Sequence, residues 1–421
     1  MSWRTTVDLD RFAAEAGGYL RSRAAENTLL LSAAQAGQAG WRGQAAGRAP
    51  GEAAGTDGPN GAVPADGIPA GGSSAGGLSA GGAANGAVPN GIGPLFGWWE
   101  PPDGSDPRGA FLHDPRRPLL IAGRAPEMAV ALAALLAKTG RPVCGVDAPV
   151  EAADAFAAAW RQRAGTDVRM HRSCRVYRLV PASAGGVESP GPAGRLRVAL
   201  AADHALVSEW LTAFAAEAGE RIGSPQDLAA DLIGYGGAVF WEIPHRASRL
   251  SQAAQFLAGP YHRDTGHRDT GHRDTAPNQD AGFQPVAMAA LTRPVAGMVR
   301  VTVVYTLPDR RRNGYAAALT FAASRAVLDG TVLDGTVLDG RALDGRARNG
   351  SALHGTGPVT EVVLITDGSR PDRGVTRLGY QLIDERAVFR FGPPTGSQPR
   401  LNSTSRPMPR LPTGPLPRLR R

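Results

Sequence analysis

Stretches whose apolar positions keep a period alternate along this chain with stretches that have none. Continuous or alternating apolar runs predict strands, and apolar residues every three to four positions predict helices. Residues 9–33 read as a helix, with Phe12, Ala13, Ala16, Tyr19 and Leu20 on one stripe, then a short strand over 28–31. After a long gap the pattern resumes at Leu95. FGWWE and the AFL of 110–112 predict paired strands joined by PPDGSDPRG. PLLIA at 118–122 is a short strand, and 125–139 is a helix with Met128, Leu132, Leu135 and Leu136 inward. A strand begins over 142–146, a helix spans 150–163 with Phe156 and Trp160 inward, and a strand spans 169–179.

A second series follows. LRVALA from Leu196 predicts a strand, 203–219 an amphipathic helix on Leu206, Trp210, Phe214 and Ala215, and 224–232 a further short helix. GAVFWEI at 237–243, then 285–293 and 298–306, predict strands. Tyr315, Ala318, Leu319, Ala322 and Ala326 recur at helical spacing. EVVLITD at 361–367 is a strand, and Leu378, Gly379 and Tyr380 with 387–391 close the series. The fold class is therefore α/β (α+β): two successive units, each a mixed sheet with helices.

Composition separates these units from the rest. Gly 55 and Pro 34 of 421 residues are unevenly spread. Residues 35–93 are Gly, Ala, Pro, Asn and Ser with hardly a large apolar side chain, which cannot offset chain entropy; they read as a disordered insertion. Residues 182–194 read as a linker. The expected division is 1–34 plus 94–181, then 195–392, with low-complexity loops at 259–282 and 327–358 and a disordered Pro/Arg-rich tail over 393–421. HRDTG repeats from His262 and VLDG from Val327, each at five-residue spacing. No EF-hand spacing surrounds the aspartates, so no metal is expected there. The repeats read as duplications tolerated in surface loops.

Charge excludes little. The net charge is +8, and Arg400, Arg406, Arg410, Arg418, Arg420 and Arg421 of the tail account for most of it. No aromatics interleave with those arginines, so nucleic acid is not an expected partner. Cys144 and Cys174 are the only cysteines, which gives neither a disulfide framework nor a zinc set. The first residues lack the apolar core of a signal peptide, and no run of about 18 apolar residues exists to span a membrane. The cytoplasm is the expected location. The bias to Ala, Gly, Arg and Pro over Lys resembles proteins of high-GC bacteria such as actinomycetes.

The candidate chemistry lies in MVRVTVVYTLPDRRRNGYAAALTFAASRAV, from Met298 to Val327. A buried strand ends at Pro308; Arg310, Arg311, Arg312, Asn313 and Gly314 turn the chain; a helix follows. Free N–H groups at a helix start and its partial positive charge suit an anion. Gly314 permits close approach of a phosphate to the backbone, and Ala316 keeps the first turn small. The spacing is Arg311-x-x-Gly314-x-Ala316, neither a Walker loop nor a dinucleotide fingerprint.

VVYTLPDRRRNGYAAAL resembles the acetyl-coenzyme A signature of the GNAT superfamily of N-acetyltransferases, in which a [QR]-x-x-G-x-[GA] turn holds the pyrophosphate. VLITD…RLGY…FRF downstream resembles the end of such domains. The first series of elements is similar to the degenerate, non-binding half that precedes the catalytic half in some actinobacterial acetyltransferases; Arg124-Ala125-Pro126 opens its helix where the glycine turn would be. The resemblance implies a mostly antiparallel sheet in each unit. It also implies acetyl-CoA as co-substrate, an amine as acceptor, and no metal. Arg311, Arg312, Asn313, Gly314, Tyr315 and Ala316 would hold the pyrophosphate, and the backbone of Val303, Val304 and Tyr305 would pair with pantetheine and polarise the thioester.

Catalytic groups are less legible. The tyrosine that many members use as acid, four residues before the Gly-Tyr pair, is Val375 here, and the family's Asn before Pro is Arg370. Glu242 on a neighbouring strand is the nearest candidate base, with an exposed strand-end glutamate as the structural alternative. A catalytically impaired binding or regulatory module of the same fold stands as the alternative to an enzyme. The sequence sets neither the acceptor nor the oligomeric state.

Overall fold

The computed structural model describes residues 2–36, 92–101, 103, 105–181, 191–219, 222–244, 282–333, 358–369 and 373–394. Most of both repeat loops, of the insertion and of the linker, and nearly all of the expected tail lie outside these residues; Val327 and Leu328, expected in a loop, instead end a helix.

The first half runs β1 (Ser2–Thr6), α1 (Leu9–Ser22), a helix over 28–36 (α2), β2 (Leu95–Glu100), β3 (Ala110–His113), β4 (Leu119–Ala122), α3 (Pro126–Lys138), β5 (Gly145–Pro149), α4 (Val150–Ala164) and β6 (Thr166–Leu179). The second runs β7 (Arg195–Val198), α5 (His204–Ala218), α6 (Pro225–Gly234), β8 (Ala238–Pro244), β9 (Phe283–Leu291), β10 (Met298–Thr306), α7 (Tyr315–Leu328), β11 (Glu361–Asp367), α8 (Arg373–Arg377) and β12 (Gln381–Pro394).

Local signals explain the ends. Asp8 caps α1, accepting from the N–H of Asp10 at 2.8 Å and of Arg11 at 3.3 Å. Ser224 does the same for α6 through the N–H of Asp227 at 3.2 Å. Gly165 and Gly219, both left-handed, close α4 and α5.

The strands form one mixed, mostly antiparallel sheet in the order β1-β2-β3-β4-β5-β12-β6-β11-β10-β9-β8-β7. Among the described residues, only β4–β5 and β10–β11 pair in parallel. The two halves exchange their last strands: β12 pairs with β5 of the first half, and β6 pairs with β11 of the second. Helices cover both faces. Beside the first half, α1 packs on one face around Phe12, Phe96 and Trp98, and α3 and α4 on the other around Phe111, Leu132 and Phe156. Beside the second, α7 packs on one face around Leu319 and Val362, and α5 and α6 on the other around Trp210, Leu211 and Phe240.

Three expectations change. Residues 28–31 are helical, because Leu30, Leu31, Ala33 and Ala34 continue a helical stripe that is buried against the sheet. β1, unforeseen, pairs along β2, and Trp3 packs edge-on against Trp99 and Phe111 with its indole N–H bonded to the Met128 carbonyl at 2.9 Å. β12 spans 14 residues rather than five, because the charged side chains of Asp384 and Arg386 are themselves buried.

Candidate functional site

β10 and β11 run side by side from Met298↔Glu361 to Val301↔Leu364 and then part. Beyond that point β10 stays paired with β9 through Thr306, and β11 with β6 through Asp367. A bulge lies in β10 between Val301 and Val303, where the register with β9 shifts. Bulges re-aim side chains and often stand beside functional sites. Past it, Val303 and Tyr305 are buried on the α5 side, and Val304 packs toward α7. The phenol ring of Tyr305 lies 5.7 Å from Trp210.

The chain then makes a short 3-10 turn over Pro308–Arg310 and enters α7 through two left-handed residues, Arg312 at φ 66° and Gly314 at φ 82°. A left-handed arginine is uncommon and costs conformational energy. Among the described residues, no acceptor engages the N–H of Arg312, Asn313, Gly314, Tyr315 or Ala316; the first closed bond of α7 is from Ala318 to the Gly314 carbonyl at 3.0 Å. The run is exposed apart from the half-buried Tyr315. Unengaged donors at a helix head suit a phosphate or carboxylate.

The side chains are engaged differently from their backbone. Arg311 is held by both carboxylate oxygens of Glu217 at 2.7 and 2.6 Å and by the Thr306 carbonyl at 3.0 Å, with its guanidinium 5.8 Å from the Tyr305 ring centre. It therefore braces the turn against α5. Asn313 donates from its amide to the carbonyls of Arg310 and Arg311 at 3.0 and 3.2 Å. Residues 191–192 flank the same turn: a Cβ on Gly314 would lie 3.5 Å from Cδ of Pro192, and one on Gly191 only 2.8 Å from Cβ of Ala318.

Glu242 is not an exposed strand-end residue. It is 2% exposed, and its oxygens accept from Nε of Arg195 at 2.9 Å and Nε of Arg197 at 2.6 Å. Arg197 also grips Asp203 at 2.7 Å. With each oxygen already accepting from a guanidinium and the side chain buried, Glu242 ties β7 to β8 and is shut off from solvent, which does not suit a base. Tyr380, of the Gly-Tyr pair, is buried and shares a 2.6 Å bond with Ser324 of α7; burial pushes its phenol up. Val375 packs into the α7 core. Glu217 was not legible in the sequence, since nothing local marks a glutamate 94 residues from its arginine.

A polar cavity lies elsewhere, in the first half, where β4 and β5 pair over Leu119↔Val146 and Leu120↔Asp147 before parting. Its volume is about 600 Å³. Beneath it Arg386 bridges the two strands, donating from Nη2 to the carbonyls of Ile121 at 3.4 Å and Asp147 at 3.0 Å and from Nε to the Asp147 carboxylate at 2.8 Å. Among the described residues, no three or more His, Cys, Asp or Glu side chains gather to hold a metal ion, and no helix is long and apolar enough to cross a membrane.

No family model and no curated protein matches the sequence. Solved structures similar to this one include a GCN5-related N-acetyltransferase from Sphaerobacter thermophilus, at 13% identity, covering 72% of this chain and 82% of that one, with a TM-score of 0.39. A GCN5-related N-acetyltransferase from Kribbella flavida is 17% identical over 67% of this chain and 86% of that one, with a TM-score of 0.30. A tandem GNAT protein from the clavulanic acid biosynthesis pathway is 13% identical over 71% and 82%, with a TM-score of 0.35.

Proposed function

We propose that this chain is an acetyl-CoA-dependent N-acetyltransferase of the GNAT type whose second half carries the active cleft. The observation that supports it most is the unengaged row of N–H groups from Arg312 to Ala316, set at the head of α7 beside the point where β10 and β11 part. The donor set fits a pyrophosphate: five backbone donors, a helix N-terminus, and Gly314 without a side chain in the way. Bound acetyl-CoA would supply an activated thioester. The chain's own part is to hold the phosphates through Arg312, Asn313, Gly314, Tyr315 and Ala316, and to keep that row in shape through the Arg311–Glu217 pair. Beyond the bulge, the backbone of Val303, Val304 and Tyr305 lines the parting strands and is the candidate to align the acyl carbonyl.

The first half, residues 1–34 with 94–181, is read as a unit that does not take the coenzyme. Pro126 stands at the first position of α3, and Arg386 already uses strand carbonyls where β4 and β5 part.

Calorimetry with acetyl-CoA tests this reading. The full chain should bind it, and Gly314→Glu should not, because a carboxylate there meets the phosphates sterically and by charge. No binding by the folded full chain refutes it. A second reading, a binding module of the same fold, is favoured by the burial of the Tyr380 phenol against Ser324 and by the sequestration of Glu242. Coenzyme binding without turnover on any of a panel of primary amines would select it.

A further inference from the structure

The cavity above β4 and β5 is open, polar and unexplained by the coenzyme reading. It is bounded by α1 and the segment after it, by the β2–β3 turn, by Gly123 and Arg124 leaving β4, and by Pro149 ending β5. Its lining holds three cations, Arg23, Arg108 and Arg124, and three anions, Glu26, Asp106 and Asp384. Tyr19, Ser22, Asn27 and Ser105 add neutral donors and acceptors, and only two prolines contribute wholly apolar side chains. A lipid or an acyl chain would find no apolar wall here.

These charges are not all spent on one another. Arg124 is committed to Asp384 at 2.5 Å, with Asp384 almost wholly buried and also near Arg386 at 3.9 Å. That pair forms a fixed polar floor. Arg23 meets Glu26 only at 3.4 Å, with most of its guanidinium in solvent. Asp106 and Arg108, both exposed on the β2–β3 turn, make no side-chain hydrogen bond to another described residue, although Arg108 lies close enough to Asp103 to help hold that carboxyl down. The Tyr19 hydroxyl of α1 makes none either, although its ring packs against the core. The turn therefore lends the cavity a carboxylate and a guanidinium two residues apart, neither hydrogen-bonded to another described side chain, among equal numbers of positive and negative lining residues.

We propose that this cavity binds a small amino-carboxylate, an α-amino acid in its simplest form, with its carboxylate on Arg108 and its ammonium on Asp106. A simple anion would face three carboxylates, and a simple cation three guanidinium groups; a zwitterion meets both sets with complementary charge. The site is separate from the head of α7 and requires nothing of the proposed coenzyme.

Thermal shift of the full chain with each proteinogenic amino acid at millimolar concentration tests it, because a ligand that binds the folded state raises its melting temperature. At least one should raise it. Its methyl ester and its decarboxylated amine should not. Calorimetric affinity for that amino acid should fall about tenfold or more in Arg108→Ala and in Asp106→Ala, the cost of a charge-assisted hydrogen bond. Both residues are exposed turn positions, so both variants should keep the parent melting temperature without ligand. Gly314→Glu should bind it unchanged. No shift with any amino acid overturns the proposal. So does binding that survives both turn substitutions, or binding that Gly314→Glu abolishes.

Discussion

Replacing Arg386 by methionine removes the side chain that stitches the parting strands of the first half to β12. The guanidinium is 4% exposed and bonded to Asp147, itself 7% exposed at the side chain, and to two backbone carbonyls. Taking one partner from a buried pair leaves an uncompensated charge and typically costs about 3–5 kcal/mol. One neighbour moderates this. Arg300 is buried nearby, its guanidinium pulled down to about 10 by burial, with Asp147 opposing the fall and Arg386 adding to it. With Arg386 gone, Arg300 loses a like charge and keeps Asp147, so the loss should fall near the low end, about 3 kcal/mol. Urea unfolding followed by tryptophan fluorescence would measure it. Adding Asp147→Leu should deepen the loss, because Arg300 then keeps its buried charge without that carboxylate. A single-variant loss below about 1 kcal/mol, or a double variant more stable than the single, would refute the assignment of Asp147 as the carboxylate shared by Arg386 and Arg300.

His113 is buried, its Nε2 bonded to the Pro142 carbonyl at 2.9 Å and its Nδ1 accepting from Arg141 at 3.2 Å, and burial pushes its imidazole down to about 4 from 6.5. The unfolded chain thus binds a proton that the folded chain refuses. Stability should be full above pH 6.5, fall as the pH drops toward 4 and level off below, with a total of about 3 kcal/mol for this group; His113→Gln should flatten that slope in denaturant titrations. Glu242→Gln should lower stability by about 1–3 kcal/mol, less than a fully buried pair because Arg195 and Arg197 reach solvent, while the turnover rate stays unchanged. A collapse in rate with stability intact would restore Glu242 as a base. Tyr380→Phe should cost about 1 kcal/mol, one neutral hydrogen bond to Ser324, and leave the pH–rate profile as it was.

Most elements were legible because their faces are cleanly apolar. The stripe of α1 and the runs of β8 to β11 carry their burial in the letters themselves. The exceptions share one cause: partners distant in sequence decided them. The letters point only to 387–391 of β12, and nothing in them shows that Asp384 and Arg386 are buried against Arg124 and Asp147, hundreds of residues earlier. Thr28 to Leu31 is a short apolar run whose periodicity fits strand or helix, and its leucines, good helix formers, pack with Phe96 in one core. At the turn before α7, the glycine and the helix start were plain, whereas the left-handed Arg312 and the Arg311–Glu217 brace were not, since φ and ion pairing are set by the surrounding fold. The cavity of the first half left no motif, being assembled from five separate elements.

The crossing-over of β6 and β12 constrains how the protein is born. As the chain leaves the ribosome, β6 emerges while both strands that will flank it, β11 and β12, are still unmade. The first half must wait with the outer edge of β5 unpaired, and β6 has no rival for that edge until synthesis is nearly over. If β6 docks there early, it has to be displaced when β12 arrives. A stalled or truncated message would therefore release a product with a vacant groove beside β5, a shape suited to capture a strand from a second nascent chain.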